Sequence, residues 1–304
     1  MDYDAIAAHF LVPNADTAPS PALPQSEARR LRDALEPIAT IGWWSRAASA
    51  AVGALGHDFF DGYVWGRAAS LGADVLPSVV VAAFGVFEPS MLGAVYAQGR
   101  SRSSRDAVLS ARADGAAAGL AAATSGVAAS ALARIGDDLL DALQSLDGAG
   151  RPLFSALRAL PTPDSLHGRV WRAAELVREH RGDGHIAAFV AAGLTAVEIN
   201  VLTEVWLEFG VGEYSATRAF APDRITAAAD RLGALGMLDA ARRLTDAGLA
   251  VREEIEAATD ASQSALVSAL GSGMGDTIAS AEQISAAVLS AHAAPADPRK
   301  RAAG

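Results

Sequence analysis

The densest group of residues able to move protons or bind charge lies at 175–185, where Glu175, Arg178, Glu179, His180, Arg181, Asp183 and His185 stand in an otherwise apolar neighbourhood. Two of the six histidines fall here. On one unbroken helix a spacing of five turns their rings roughly 140° apart, a poor geometry for a shared ligand. Gly182-Asp183-Gly184 offers a corner instead, with His180 ending one helix and His185 starting the next. The negative end of the first helix favours the imidazolium of His180, and the positive end of the second favours a neutral His185. Two groups pushed in opposite directions can serve as acid and base, with Asp183 orienting either ring. Ordinary architecture would produce the same residues: Gly182 as a helix stop, Asp183 as an N-cap, Arg178 with Glu175 or Glu179 as a surface pair. His180 and His185 are also the candidates for holding a haem or metal, with no thiolate and no His-x-x-x-His pair to complete a ligand set.

A second segment, 59–72, sets Asp61, Tyr63, Trp65 and Arg67 among glycines and apolar residues. A buried Arg67 needs a partner, which Asp61, Asp74 or the acids of 175–185 could supply. It either ties helices together or recognises an anion. Trp43, Trp44, Phe84 and Phe87 read first as core. The set expected to meet a substrate is Arg67, Arg178, Glu179 and Arg181 with the aromatics Tyr63, Trp65, Phe87 and Trp171, around His180, His185 and Asp183 as the acid/base group.

Composition removes several chemistries. With no cysteine there is no disulfide, thiolate metal site or cysteine nucleophile. All 25 basic residues are arginine except Lys300, which leaves no phosphate-loop lysine and no internal Schiff-base lysine. A net charge of −10 disfavours nonspecific attraction to nucleic acid or an anionic membrane. The longest apolar run, 79–87, is short of the roughly 20 residues that span a bilayer. The start, Met-Asp-Tyr-Asp-Ala, lacks a basic, apolar leader, so a cytoplasmic location is expected.

Abundant Ala and Leu, with aromatics at only 6%, predict an all-α fold. Residues 1–24 read as a flexible arm, with a short helix over 2–11 followed by a proline-rich linker. Ser26 caps a helix over 27–56 that Pro37 interrupts. Three helices follow over 57–99, with 79–81 able to be a short strand. Ala-rich helices are expected at 104–123 and 127–146, a short one at 151–160, an amphipathic one at 164–180, and another at 185–192 after the corner. Residues 25–192 thus form a helical domain that holds the site.

Thr195 with Glu198 has the capping-box pattern, and Pro222 suits the first turn of a helix over 223–235. A very short hairpin at 236–243 leads into a long helix over 249–270. This order, with ITAAADRLGALGMLD and LTDAGLAVREEIEAATD, resembles the winged-helix domain of multiple-antibiotic-resistance-type regulators. The resemblance implies a winged helix-turn-helix at 193–260. Over 194–260 there are 12 acidic residues against 6 arginines, so DNA binding is disfavoured unless Arg218, Arg224, Arg242 and Arg243 make a local basic face. The segments 261–294 are expected to dimerise the chain, and 295–304 to be a disordered tail.

GRAASLG at 66–72 and REHRGDGH at 178–185, followed by this winged helix, resemble an uncharacterised actinobacterial helix-turn-helix family over roughly 26–260. Members of that family carry proline where Ser70 stands and asparagine near Val86, and the resemblance brings no activity with it. The function expected is recognition, or acid/base conversion, of a small organic molecule in secondary metabolism. The alternative is a ligand-responsive transcription regulator; a haem or metal protein comes third. No cofactor is assigned, a homodimer is expected, and no membrane is involved.

Overall fold

A computed structural model describes residues 3–11 and 26–302 of the chain. The proline-rich linker expected before Ser26 lies outside the described residues. Helix α1 (Tyr3–Phe10) docks on the body, with the Tyr3 hydroxyl donating to the Trp44 carbonyl at 2.9 Å.

Helix α2 (Glu27–Trp44) begins where expected, its first turn held by the Ser26 hydroxyl accepting from the Arg29 N–H. Pro37 does not interrupt it. The chain turns at Ser45, which caps α3 (Arg46–Gly53). Next come α4 (Phe59–Ala68), α5 (Pro77–Phe84), α6 (Pro89–Arg102) and α7 (Arg105–Ala123). The Val79–Val81 run is helical within α5, because Pro77 sits at a first-turn position and starts a helix there. Short helices α8 (Ala129–Ala133), α9 (Leu140–Gln144) and α10 (Pro152–Arg158) lead to α11 (Leu166–Ala191), the longest element in the structure.

Helix α11 corrects the expected corner. It runs unbroken through Gly182-Asp183-Gly184, and neither glycine has the positive φ that a left-handed helix stop requires. Tertiary packing overrides the local signal. Its first half lies in the main core, where Val170, Trp171, Ala174 and Val177 meet Leu35, Ile38 and Ile278. Its second half enters a separate core, where Phe189 joins Leu202, Ile225, Leu232 and Ile255. One rigid rod therefore connects the two.

That second core belongs to α12 (Ala196–Trp206), α13 (Pro222–Ala234) and α14 (Asp246–Ala261). The Thr195–Glu198 capping box and the first-turn Pro222 are both present. Between α12 and α13 a single 3-10 turn, Ser215–Arg218, is held by Glu204. That fully buried carboxylate accepts from the backbone N–H groups of Gly212, Tyr214 and Ser215 at 2.8–2.9 Å. The expected β-hairpin wing reduces to one antiparallel bridge, Leu238 to Leu244, and there is no strand among the described residues. Too few residues separate α13 from α14 to build more.

After α14 the chain breaks at Ser262–Gln263, then forms α15 (Ser264–Leu270) and α16 (Met274–Ser290). The apolar face of α16 was expected at a dimer interface. Met274, Ile278, Ala281, Ile284 and Val288 instead lie in the main core beside α2. The expected tail contains α17 (Pro298–Ala302), with Ala302 buried beside Trp206 and Leu207. No single described helix is long and apolar enough to cross a membrane.

A difference in sign follows for Gly182 and Gly184, the two glycines that flank Asp183. A Cβ at Gly182 meets nothing within 4 Å, so Gly182→Ala gains helix propensity and is expected to stabilise by about 1 kcal/mol. A Cβ at Gly184 would collide with the Ser262 hydroxyl and press on Arg151, so Gly184→Ala is expected to destabilise. Thermal melts of the two variants should move in opposite directions; a loss of stability for Gly182→Ala would restore the corner.

Candidate functional site

Where α11 passes from one core to the other it forms the wall of a cavity of about 100 Å³ lined by charged and apolar side chains, room for several waters or a small organic molecule. Tyr63 and Arg67 of α4, Ala83 and Phe84 of α5, and Phe87 close one side. Ile199, Asn200, Thr203, Tyr214, Arg218, Arg252 and Glu256 close the other. Between them α11 contributes Arg178, Glu179, Arg181, Gly182, Asp183, His185 and Ile186.

Two carboxylates organise the arginines. Glu179 accepts from Arg67 in a bidentate pair, Nε at 3.1 Å and Nη2 at 2.8 Å, and also from Arg178 at 3.3 Å. The partner of Arg67 is therefore one of the 175–185 acids. Arg67 also donates to the Tyr63 hydroxyl at 2.7 Å and lies 4.5 Å above the Phe84 ring. Glu256, only 2% exposed, accepts from Arg29, Arg181 and Arg252 at 2.8, 2.7 and 2.6 Å. Burial alone would raise the pKa of either acid, but Arg252, Arg181 and Arg29 hold Glu256 well below the usual range, and Arg67 and Arg178 lower Glu179. Both acids are ionised and spoken for.

Asp183 differs. Its Oδ2 accepts from the Phe154 N–H at 3.0 Å, while Oδ1 is buried without a partner and the residue lines the cavity. Burial pushes its pKa up to about 7, with Glu179 adding to the rise and the Phe154 N–H, Arg67 and Arg151 opposing it. It is a carboxyl that can hold a proton near neutrality, not a fixed charge orienting a ring.

The histidines are not pushed apart. Burial lowers His180 to about 4 and His185 to about 3, with nearby arginines adding to both shifts. Both rings are neutral because both are buried among arginines, and neither stands at a helix end as the corner would have placed them. His180 pairs with Gln263 at 2.8 Å and packs edge-on against Phe154, off the cavity wall. His185 pairs with Thr259 at 3.1 Å and does reach the wall. Trp65 and Trp171 also lie away from the cavity: Trp65 donates to the Ser103 carbonyl and packs edge-on against Tyr96, while Trp171 donates to the Ala39 carbonyl within the main core. Among the described residues no cluster of three or more His, Asp or Glu could hold a metal.

Sequence reasoning missed Arg252 and Glu256, and it took Arg218 for a surface cation. A signal existed in α14, where Arg252, Ile255, Glu256 and Thr259 share the buried face, so charges stand at core-facing positions. A further polar chain links His57 to Asp61 at 3.3 Å and to the Ser103 hydroxyl at 2.7 Å. The cleft beside it holds only about 30 Å³, space for two or so waters, which suits a tie between α4 and α6 better than a substrate site.

On the outer face, α13 exposes Asp223, Arg224, Thr226, Asp230 and Arg231. Of the four arginines expected to make a basic face, Arg218 turns to the cavity, Arg242 pairs with Asp230 at 2.6 Å, and Arg243 pairs with Asp239 at 2.8 Å. Arg231 is engaged by Glu198 at 2.7 Å.

The order α12, a 3-10 turn and α13, packed against a helical bundle across the candidate cavity, is that of a helix-turn-helix unit. The chain belongs to the Helix-turn-helix family, whose model matches residues 28–295. No curated protein matches it, and no solved structure does.

Proposed function

We propose that this is a ligand-responsive helix-turn-helix regulator, in which a small organic molecule occupies the cavity and alters how α13 meets DNA. One observation carries the reading: the cavity wall is shared between α4, α5 and α11 on one side and α12, the 215–218 turn and α14 on the other. An occupant that contacts both units differently in two arrangements shifts their balance. The family membership supports the DNA-facing half. Few unpaired cations face outward, so affinity for DNA must come from base contacts of α13 more than from phosphate neutralisation.

Random duplex DNA is therefore expected to bind negligibly at physiological salt, while repeated selection from a random-sequence pool is expected to enrich one motif. Failure to enrich any motif would overturn the regulator reading. Two chains reading two half-sites would fit such a protein. Since α16 is committed to the core, pairing needs another surface, and a one-chain mass in sedimentation would contradict it.

A second reading rests on Asp183. A carboxyl that gains and loses a proton near neutrality, beside the neutral His185 ring on the same wall, could transfer protons to a bound molecule. Asp183→Asn removes that ability and keeps the acceptor for the Phe154 N–H. Under the regulator reading this variant still responds to ligand; under proton-transfer chemistry turnover is lost.

A further inference from the structure

Among the arginines on the cavity wall, Arg218 stands apart. Arg32, Arg67, Arg178, Arg181 and Arg252 each have a carboxylate partner, at distances from 2.6 to 3.5 Å. Arg218 has none among the described residues. Its Nη2 donates to the Tyr214 hydroxyl at 2.6 Å, its guanidinium lies 4.6 Å from the Tyr214 ring centroid and 4.9 Å from that of Phe87, and its Nε is buried without a hydrogen-bond partner. The turn that carries it is fixed at both ends. Glu204 holds the start, and the Arg218 carbonyl accepts from the Glu88 N–H at 2.9 Å.

Three more buried polar atoms on this wall lack a hydrogen-bond partner: Asp183 Oδ1, Arg181 Nε and Arg252 Nε. Together with Arg218 Nε, they place three donors and one acceptor around one cavity, open to an occupant. The wall carries six arginines against Glu179, Glu256 and Asp183. Its apolar part, Phe84, Phe87, Val86 and Ile186, can cover a flat hydrocarbon body.

We propose that the cavity takes a small organic anion with a planar apolar body, and that Arg218 binds its acid group. This rests on the ligand-responsive reading and names the class of ligand that reading leaves open. A guanidinium donates two parallel N–H groups to a carboxylate, and the Tyr214 and Phe87 rings help to position that of the half-buried Arg218. A neutral amide of the same shape cannot accept both bonds and leaves the charge uncompensated.

The test uses the full chain with benzoate and its neutral isostere benzamide as probes, followed by calorimetric titration at constant ionic strength. Benzoate is expected to bind saturably and benzamide about tenfold or more weakly, the discrimination of one charge-assisted contact. Arg218→Gln is expected to lose benzoate binding, Arg218→Lys to retain part of it, and Arg224→Gln on the outer face of α13 to leave it unchanged. If the Arg218 variants fail to fold, amide exchange of the wild-type chain decides, with benzoate expected to slow the 214–220 segment. Equal affinity for the two probes, no binding of either at millimolar concentration, or full benzoate binding by a folded Arg218→Gln would overturn the proposal. Equal affinity with a DNA response would overturn the ligand class and spare the regulator reading. Benzoate binding through Arg218 with no DNA response would do the reverse.

Discussion

Glu256→Gln is expected to cost about 3–5 kcal/mol of stability, the range for breaking a buried ion network by removing one side of it. The carboxylate neutralises Arg29 of α2, Arg181 of α11 and Arg252 of α14, three side chains at most 8% exposed. The amide keeps the shape, but its NH2 faces guanidinium donors and the charge that compensated them is gone. Because these arginines come from three helices, the loss falls on the seam between the bundle and the helix-turn-helix unit. For a chain of this size the melting temperature should drop by roughly 5–8 °C. Exposed Glu253→Gln, three residues earlier on α14, should stay within about 0.5 kcal/mol of the parent. If Glu256→Gln also stayed within that margin, the network would not hold the two units together.

The second large effect is in the pH dependence of stability, where two groups act with opposite signs. His180 is neutral in the fold, its pKa lowered to about 4 from 6.5. Its contribution is present above pH 6.5 and lost as the pH falls toward 4, because the unfolded chain gains the proton first. Between pH 7 and 5 this amounts to about 2 kcal/mol. His185 acts in the same direction, but a fifth of its side chain is exposed, and solvent reduces its share. Asp183 works the other way. With its pKa raised to about 7 from 3.8, its contribution is full below pH 3.8 and lost as the pH rises through 7. That is about 2–3 kcal/mol between pH 5 and 8. Stability should therefore peak near pH 6 to 7, a balance of these opposing slopes. His180→Gln should flatten the acid limb alone, and Asp183→Asn the alkaline limb alone, raising stability at pH 8. Denaturant titrations across the range read both; parallel curves for parent and variants would remove these groups from the balance.

Local chemistry made much of the helical framework legible. The Ser26 and Thr195–Glu198 caps and the Pro222 start were visible because a cap is decided by a few adjacent residues. That Arg67 needs an acid was visible because a buried guanidinium must be paired, but the choice of Glu179 over Asp61 and Asp74 was not, since it depends on how α4 meets α11. The corner was misread for the complementary reason. Gly182 and Gly184 look like breakers alone, whereas in the fold Gly184 lets Ser262 approach and the flanking Arg181 and Asp183 are bonded on either side. Counting charge over 194–260 also treated Arg252 and Glu256 as solvent-facing. Only the burial of one face of α14 shows that they compensate within the protein. The apolar surplus in α16 pointed to a partner chain because nothing local reveals that α2 covers it.

The most direct test of a ligand-responsive helix-turn-helix protein is the affinity of the full chain for its selected duplex, titrated with and without saturating benzoate. A coupling of 1–3 kcal/mol between cavity and α13, typical of such systems, would change the duplex Kd by about 5-fold to 150-fold. By linkage the duplex must change benzoate affinity by the same factor. The expected result is a shift of at least about fivefold that Arg218→Gln abolishes. An unchanged Kd with benzoate demonstrably bound would contradict the claim that the cavity and the helix-turn-helix are coupled.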